Sequence, residues 1–325
     1  MTVDIEQKTE IDFDKFLIDL SKEIKEPQPL ISLGEKPLFT RGNISCISGK
    51  AKSRKTFLNC LFSAQFLEDA DTKTKIVIFD TEQAKFHVQK TAKRIHRLLE
   101  WDDKENSEQL RVFALRELTT EKRIDLVKNA IQHFTPDLVF IDGVRDLLHD
   151  FNSISESTDL VNLLMNLSSV YNCHICVVLH ENKIDNSLRG HAGTELQNKS
   201  ETVISVEADG NISAVAPKYC RNIPFEKFYF HVNESGLPEY CDPEIKPKNT
   251  DKLKEQFTEI FTEQAVLSYV DMKCKVMECH NVKERAAEYK IKKAISECII
   301  VKNDFGQYYL SIPENVEQSQ FDLPY

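Results

Sequence analysis

The chain has 325 residues, 41% of them hydrophobic, enough to bury the core of one large domain and a smaller appendage. Its net charge of −10 excludes a generally basic nucleic-acid-binding coat and leaves room only for a local basic channel. No apolar run reaches the length of a membrane span, and the opening MTVDIEQKTEIDFDKF carries acids where a signal peptide needs positive charge, so a cytoplasmic protein with no membrane partner is expected.

Nine cysteines are scattered along the sequence, several inside apolar runs (Cys46, Cys60, Cys176) where a reduced thiol acts as a small hydrophobe, so no disulfide framework is expected. Cys173 and Cys176 fall on opposite faces of a predicted strand, and Cys274, Cys279 and His280 lack a second pair at finger spacing. Neither group argues for zinc.

Residues 1–29 are predicted to form a helical arm. Phe13, Phe16, Leu17 and Leu20 share one face of a helix from Asp12 to Lys25, which Pro27 and Pro29 stop. The stretch Gly42 to Leu61, GNISCISGKAKSRKTFLNCL, then reads as strand, loop and helix. Gly49 to Thr56 is G-K-A-K-S-R-K-T against the phosphate-loop pattern G-x-x-x-x-G-K-[ST], with Arg54 where the second glycine belongs. In such a loop the backbone N–H groups of Gly49, Lys50, Ala51, Lys52, Ser53 and Arg54, with the positive end of the following helix, wrap the phosphates of ATP. Lys55 neutralises the outer phosphates and the Thr56 hydroxyl ligates Mg²⁺. Glycine is favoured before the lysine because backbone must approach phosphate closely, so the Arg54 side chain has to point outward. Taken alone, the loop also reads as a basic turn that binds nothing.

Lys75 to Asp80 is an apolar run suited to a strand buried on both faces of a parallel sheet, and Glu82 stands just past its C-terminal end, the edge at which open α/β sheets bind ligands. A carboxylate there can orient or deprotonate an attacking water, although a helix-start acid before Phe86 to Leu99 reads the same way. Leu110 to Ala114 is a strand, Glu121 to Phe134 a helix, and Leu138 to Asp142 (LVFID) a strand ending in the carboxylate of the second nucleotide motif, which holds Mg²⁺ directly or through water. Asp159 to Tyr171 is a helix. Cys173 to Leu179 is a buried strand ending at His180, where a polar group can touch the γ-phosphate. Glu181 to Gly193, with Arg189-Gly190, reads as a mobile loop, and Thr202 to Val206, Ile212 to Ala216 and Lys227 to Val232 form an antiparallel-looking edge.

With strand tips at the phosphate loop, Glu82, Asp142 and His180, followed by the Arg-Gly segment and by Lys218 and Arg221, the chain resembles RecA-type ATPases over about residues 30–235. Within that group it is most similar to ring-forming replicative helicases of the RepA and DnaB kind. The resemblance implies Lys55 and Thr56 as phosphate and Mg²⁺ ligands, Glu82 as catalytic base, Asp142 as the second Mg²⁺ carboxylate and His180 as γ-phosphate sensor. It implies a homo-oligomeric ring, a hexamer, with nucleotide between subunits and with Arg221 and neighbouring Lys218 completing the next subunit's site. It also implies that Lys183 and Arg189 contact single-stranded DNA in the central channel.

Pro243, Pro247 and alternating charge mark residues 239–250 as a linker. Beyond it, helices at Asp251 to Phe261, Leu267 to Cys279 and Val282 to Glu297 precede a hairpin around Asn303 to Gly306, an order that resembles a winged helix over residues 251–312. Lys283, Arg285, Lys290 and Lys293 of the third helix are then available to duplex DNA phosphates. From Val266 to Asn303 there are 8 Lys and Arg against 5 Asp and Glu. Residues 313–325 read as a disordered tail. The expected fold is α/β: a RecA-like P-loop core over residues 30–238, with a mostly parallel central sheet flanked by helices, plus the small C-terminal winged-helix-like domain. The expected function is an ATP- and Mg²⁺-dependent DNA motor of a mobile element or phage. The alternatives are a regulatory or loading ATPase of the same fold and a DNA-binding adaptor with a weakened nucleotide site.

Overall fold

Strands such as IVIFD and LVFID are apolar at every position but the last, which is stable only where both faces of the sheet are covered. The computed structural model, which describes residues 12–68, 70–182, 187–242, 249–262, 264–280, 282–303 and 305–311, provides that cover. Its first unit, residues 1–243, opens with a hairpin of β1 (Pro29–Leu33) and β2 (Lys36–Thr40). It continues through β3 (Ile44–Gly49), α1 (Lys55–Glu68), β4 (Ile76–Asp80), α2 (Lys85–Leu98), β5 (Leu110–Ala114), α3 (Thr120–Phe134) and β6 (Leu138–Asp142). Then come α4 (Ile154–Val170), β7 (His174–His180), α5 (Gly190–Lys199), β8 (Thr202–Asp209), β9 (Ile212–Cys220), β10 (Phe228–Val232) and β11 (Pro238–Cys241).

The nine-stranded sheet runs β11-β10-β9-β8-β3-β7-β6-β4-β5. The six strands from β8 to β5 are parallel, and β9, β10 and β11 add an antiparallel edge. Because β7 and β6 lie between β3 and β4, Gly49, Asp80, Asp142 and His180 end at one sheet edge, with Gly49 opposite His180 and Asp80 opposite Asp142. This reversal of strand order is the position at which open α/β sheets form a ligand crevice. Alternation divides the core accordingly. Ile44, Cys46, Val139 and Ile175 pack with Leu160 and Leu164 of α4 on one face, while Ile47, Ile76, Phe140 and Val178 pack with Leu58 and Phe62 of α1 on the other.

Three features depart from the sequence reading. The arm helix over Asp12 to Lys25 is reduced to a 3-10 turn at Phe13–Lys15, and Phe13, Phe16, Leu17 and Leu20 face solvent. The Asp19 carboxylate accepts the N–H of Ser21 at 3.0 Å, a local turn that competes with a helix having no packed face to stabilise it. Residues 1–11 of that arm, and the tail at 313–325, lie outside the described residues. The stretch expected to be a loop through Gly193 instead enters α5 at Gly190. Gly193 is the reason: a Cβ there would lie 2.6 Å from the Leu188 carbonyl carbon, so the helix lies against the preceding chain only because that carbon is missing. Finally, β11 carries the sheet to Cys241, past the boundary expected at 238.

The second unit, residues 244–325, contains α6 (Asn249–Ile260), α7 (Tyr269–His280), α8 (Glu284–Ser296) and an antiparallel hairpin of β12 (Ile300–Lys302) and β13 (Tyr308–Leu310). Leu267 bridges to Tyr308, and Phe257, Met272, Val276, Ile291 and Ile300 form a separate core. No helix among the described residues is long and apolar enough to cross a membrane.

At the foot of the large sheet, His174 is fully buried, stacked on Phe39 at 4.5 Å, with Nδ1 2.8 Å from the Thr40 carbonyl oxygen. A carbonyl only accepts, so Nδ1 carries the proton. Burial pushes this histidine down from its ordinary 6.5 to about 4. The unfolded chain therefore takes up a proton below about pH 6.5 that the fold refuses until about pH 4, and stability is lost as pH falls through that window, by about 3 kcal/mol in all. Urea unfolding across this range should show a slope for the wild type that is about 1.4 kcal/mol per pH unit steeper than for His174→Phe. Parallel slopes would refute the assignment.

Candidate nucleotide site

The phosphate loop leaves β3 at Gly49, where a Cβ would lie 2.4 Å from the Val206 carbonyl oxygen; only glycine lets the loop pass β8 this closely. Lys52 and Arg54 both take left-handed backbone, with φ of 65° and 69°. Arg54 thus adopts the conformation glycine would supply, and its side chain leaves the loop as expected, donating to the carbonyl of Gly210 at 2.7 Å and to the Ser213 hydroxyl at 3.0 Å. The first turn of α1 holds no acidic residue, so the positive end of the helix is not neutralised from within.

Lys55 is buried, and its Nζ donates to the carbonyls of Gly49 (3.0 Å) and Lys50 (2.8 Å) while lying 3.3 Å from His180 Nδ1. Burial lowers its pKa, against the attraction of Asp142 and Glu82. On the other side of His180, Nε2 is 3.4 Å from Glu82 Oε1. An ammonium can only donate and a carboxylate only accept, so the ring between them is placed to accept at Nδ1 and donate at Nε2. The hydrogen bond from His180 is the main cause that holds Glu82 below the ordinary carboxylate range.

The Thr56 hydroxyl donates to Asp142 Oδ2 at 2.6 Å. Burial pushes Asp142 up to about 6, the Thr56 bond opposing it. Mg²⁺ takes hard oxygen ligands, one or two from protein and the rest from phosphate and water, and a threonine hydroxyl beside a half-buried carboxylate at the foot of a phosphate loop fits that requirement. When bound, the ion would neutralise charge on the phosphates.

Sequence reasoning passed over the residues that hold Glu82 in place. Asp80 accepts the N–H groups of Glu82 (3.0 Å) and Gln83 (2.7 Å), fixing the turn into α2. The Thr81 hydroxyl reaches the Gly143 carbonyl at 2.8 Å. It also missed α2 as a wall of the cavity of about 580 Å³ over the loop, where His87, Lys90 and Arg94 join Lys55 and Asp142 in the lining. The signal was a basic helix face beginning just after Glu82, indistinguishable in sequence from a solvated one.

The remaining expected residues fall elsewhere. Lys218 is turned inward, its Nζ 2.6 Å from Glu181, whose buried carboxylate also accepts from Ser48. Arg221 lies at the opposite sheet edge, its N–H bonded to the Glu201 carbonyl beside the start of β8 and its guanidinium to the Lys199 carbonyl at 2.9 Å. Neither reaches this chain's own phosphate loop. The Arg189 guanidinium lies over the Phe151 ring at 5.2 Å, with Arg145 over the same ring at 4.2 Å, and Lys183 is outside the described residues. In the second unit, Lys283 and Arg285 are exposed, whereas Lys290 reaches Gln256 at 3.2 Å and Lys293 reaches Glu297 at 3.8 Å.

A mostly parallel sheet with a lysine-bearing phosphate loop, a paired threonine and aspartate, and a strand-tip glutamate defines a P-loop ATPase domain. Residues 7–186, more than half of the chain, match the AAA domain family, and the chain belongs to that family. No curated protein matches it. Among solved structures, the RadB recombinase is similar at 14% identity and a TM-score of 0.48, over 63% of this chain and 94% of that one.

Gly143 (φ 97°) offers a test of the site's geometry, because a Cβ there would meet the Thr81 hydroxyl at 2.3 Å and the Glu82 side chain at 2.8 Å. Gly143→Ala should cut ATP turnover about tenfold or more by displacing Glu82. Fluorescent-nucleotide affinity should change less than threefold, since the phosphate loop lies on another strand. Equal losses in both would mean that the turn at Gly143 supports the loop and not the glutamate.

Proposed function

We propose that this chain is an ATP-hydrolysing DNA motor of the RepA and DnaB kind that works as a ring of like subunits. The observation that supports it is the convergence of Lys55, the Thr56–Asp142 pair and the His180–Glu82 pair on one sheet edge. Glu82, kept ionised by His180, orients and deprotonates the attacking water. Lys55 leaves its loop carbonyls for the outer phosphates, and His180, released from Lys55, then registers the γ-phosphate. Thr56 and Asp142 hold Mg²⁺.

Arg221, remote from its own loop, serves the neighbour's site as the arginine finger; Lys218, engaged with Glu181, supports the β9 strand that carries it. Arg189 contributes to a single-strand DNA channel, together with Arg145 and Phe151, a guanidinium pair on one aromatic ring. The three helices and hairpin of the second unit act as a winged helix on duplex DNA, through exposed Lys283 and Arg285 in preference to Lys290 and Lys293. The setting is replication of a mobile element or phage.

The deciding experiment is ATP hydrolysis by purified protein with and without single-stranded DNA, with assembly followed by light scattering. Lys55→Ala should abolish turnover. Glu82→Gln should keep nucleotide binding and lose about 10²-fold or more in rate. Stimulation by DNA in a ring-sized species supports the motor. Turnover that is indifferent to DNA would favour a regulatory or loading ATPase, and no turnover at any concentration would leave a DNA-binding adaptor. Removal of residues 250–325 should weaken duplex binding while sparing basal hydrolysis, and unchanged DNA affinity would reject the wing.

A further inference from the structure

Arg54 occupies the second of the two loop positions at which the phosphate-loop pattern calls for glycine, and its side chain is not idle. One guanidinium nitrogen donates to the Gly210 carbonyl at 2.7 Å; the other donates to the Ser213 hydroxyl at 3.0 Å and lies 3.3 Å from the Ile212 carbonyl oxygen. All three acceptors belong to the turn joining β8 to β9 and its first residues. Ser213 is fully buried, and Gly210 takes a φ of 58°, so the acceptors are set by the turn's own fold. At the near end, the Arg54 carbonyl accepts the N–H groups of Phe57 (3.0 Å) and Leu58 (3.2 Å), closing the first turn of α1. One residue therefore ends the loop, starts the helix and grips the turn that opens the antiparallel edge of the sheet.

A left-handed non-glycine residue costs about 1–2 kcal/mol unless its surroundings hold it there. A loop glycine would remove that cost and also remove the grip. Gly49 shows that the loop already leans on β8 at its other end, against Val206. With both ends fastened to β8 or its turn, the N–H groups between them are held in one arrangement before a nucleotide arrives.

We infer that Arg54 is a positioning residue, a strut that fastens the phosphate loop to the β8–β9 turn and so presets the loop for nucleotide phosphates. The inference rests on the nucleotide-binding reading above, so its test has one arm that needs no nucleotide. In hydrogen exchange on the full chain without nucleotide, amides 50–54 and 209–213 should exchange faster in Arg54→Gly and, from the far end of the strut, in Ser213→Ala. In binding of fluorescent ADP, Arg54→Gly should raise Kd about tenfold, equivalent to ~1.4 kcal/mol, and Ser213→Ala about threefold. The two should be less than additive in the double variant. Arg54→Lys keeps the charge without the planar fork and should resemble Arg54→Gly.

Equal or tighter ADP binding by Arg54→Gly would overturn the inference, as would wild-type affinity in Arg54→Lys or unchanged exchange at 209–213. Wild-type protein that binds no ADP would sink the functional reading, and the exchange arm would then decide the strut alone. Thermal unfolding of each variant separates these effects from loss of the fold, since an unfolded variant exchanges fast everywhere and not only at the two ends of the strut.

Discussion

The contact on which the site depends is the 2.6 Å hydrogen bond from Thr56 to Asp142. It joins the helix after β3 to the tip of β6, and β7 lies between those strands. Such a contact forms because the chain crosses over three times between β3 and β6, through α1, α2 and α3, and returns each strand in parallel, with helices covering the faces of the sheet. The apolar runs of β4 and β6 and the amphipathic helices between them are what drive that arrangement. The nucleotide chemistry follows from a packing solution, because β4, β6 and β7 each deliver a polar terminal residue, Asp80, Asp142 and His180, to the same edge.

Charge at that edge is arranged in alternation. Lys55, His180 and Glu82 form a row in which each group has the partner its protonation requires, and Asp142 stands apart beside Thr56. Burial alone would favour neutral forms of all the charged members, and it does lower Lys55 and raise Asp142. Glu82 escapes this because His180 donates to it, which leaves an ionised carboxylate next to a buried lysine. The site thus holds opposite charges at short range in a place from which water is partly excluded, where electrostatic positioning is strongest.

The antiparallel strands play a different part from the parallel ones. They bear none of the groups in the Lys55–His180–Glu82 row, yet Arg54 fastens the loop to the turn that leads into β9, while Gly49 lies against Val206 of the parallel strand β8. Glu181, next to His180 in sequence, takes Lys218 of β9 as its partner. The phosphate loop thus meets this side of the sheet at two places, Gly49 at Val206 and Arg54 at the β8–β9 turn.

Much of this was legible in the amino-acid order. Strand runs, the lysine and threonine of the loop, and the terminal acids of two strands are local patterns, set by side-chain periodicity, and the structure brings them to one sheet edge. The helix at Gly190 was not legible, because two glycines in ten residues argue against a helix unless a neighbour such as Leu188 needs the space. Nor was the arm: its apolar face had the right period, but a helix is stable only against a surface, and the described residues provide none. The destination of the Arg54 side chain, the inward turn of Lys218 and the placement of Arg221 at the far edge are long-range outcomes. Sequence by itself determined which chemistry the chain could carry. Only the tertiary structure decided which groups meet, because contacts such as Arg54 to Gly210 depend on the sheet that brings distant segments together.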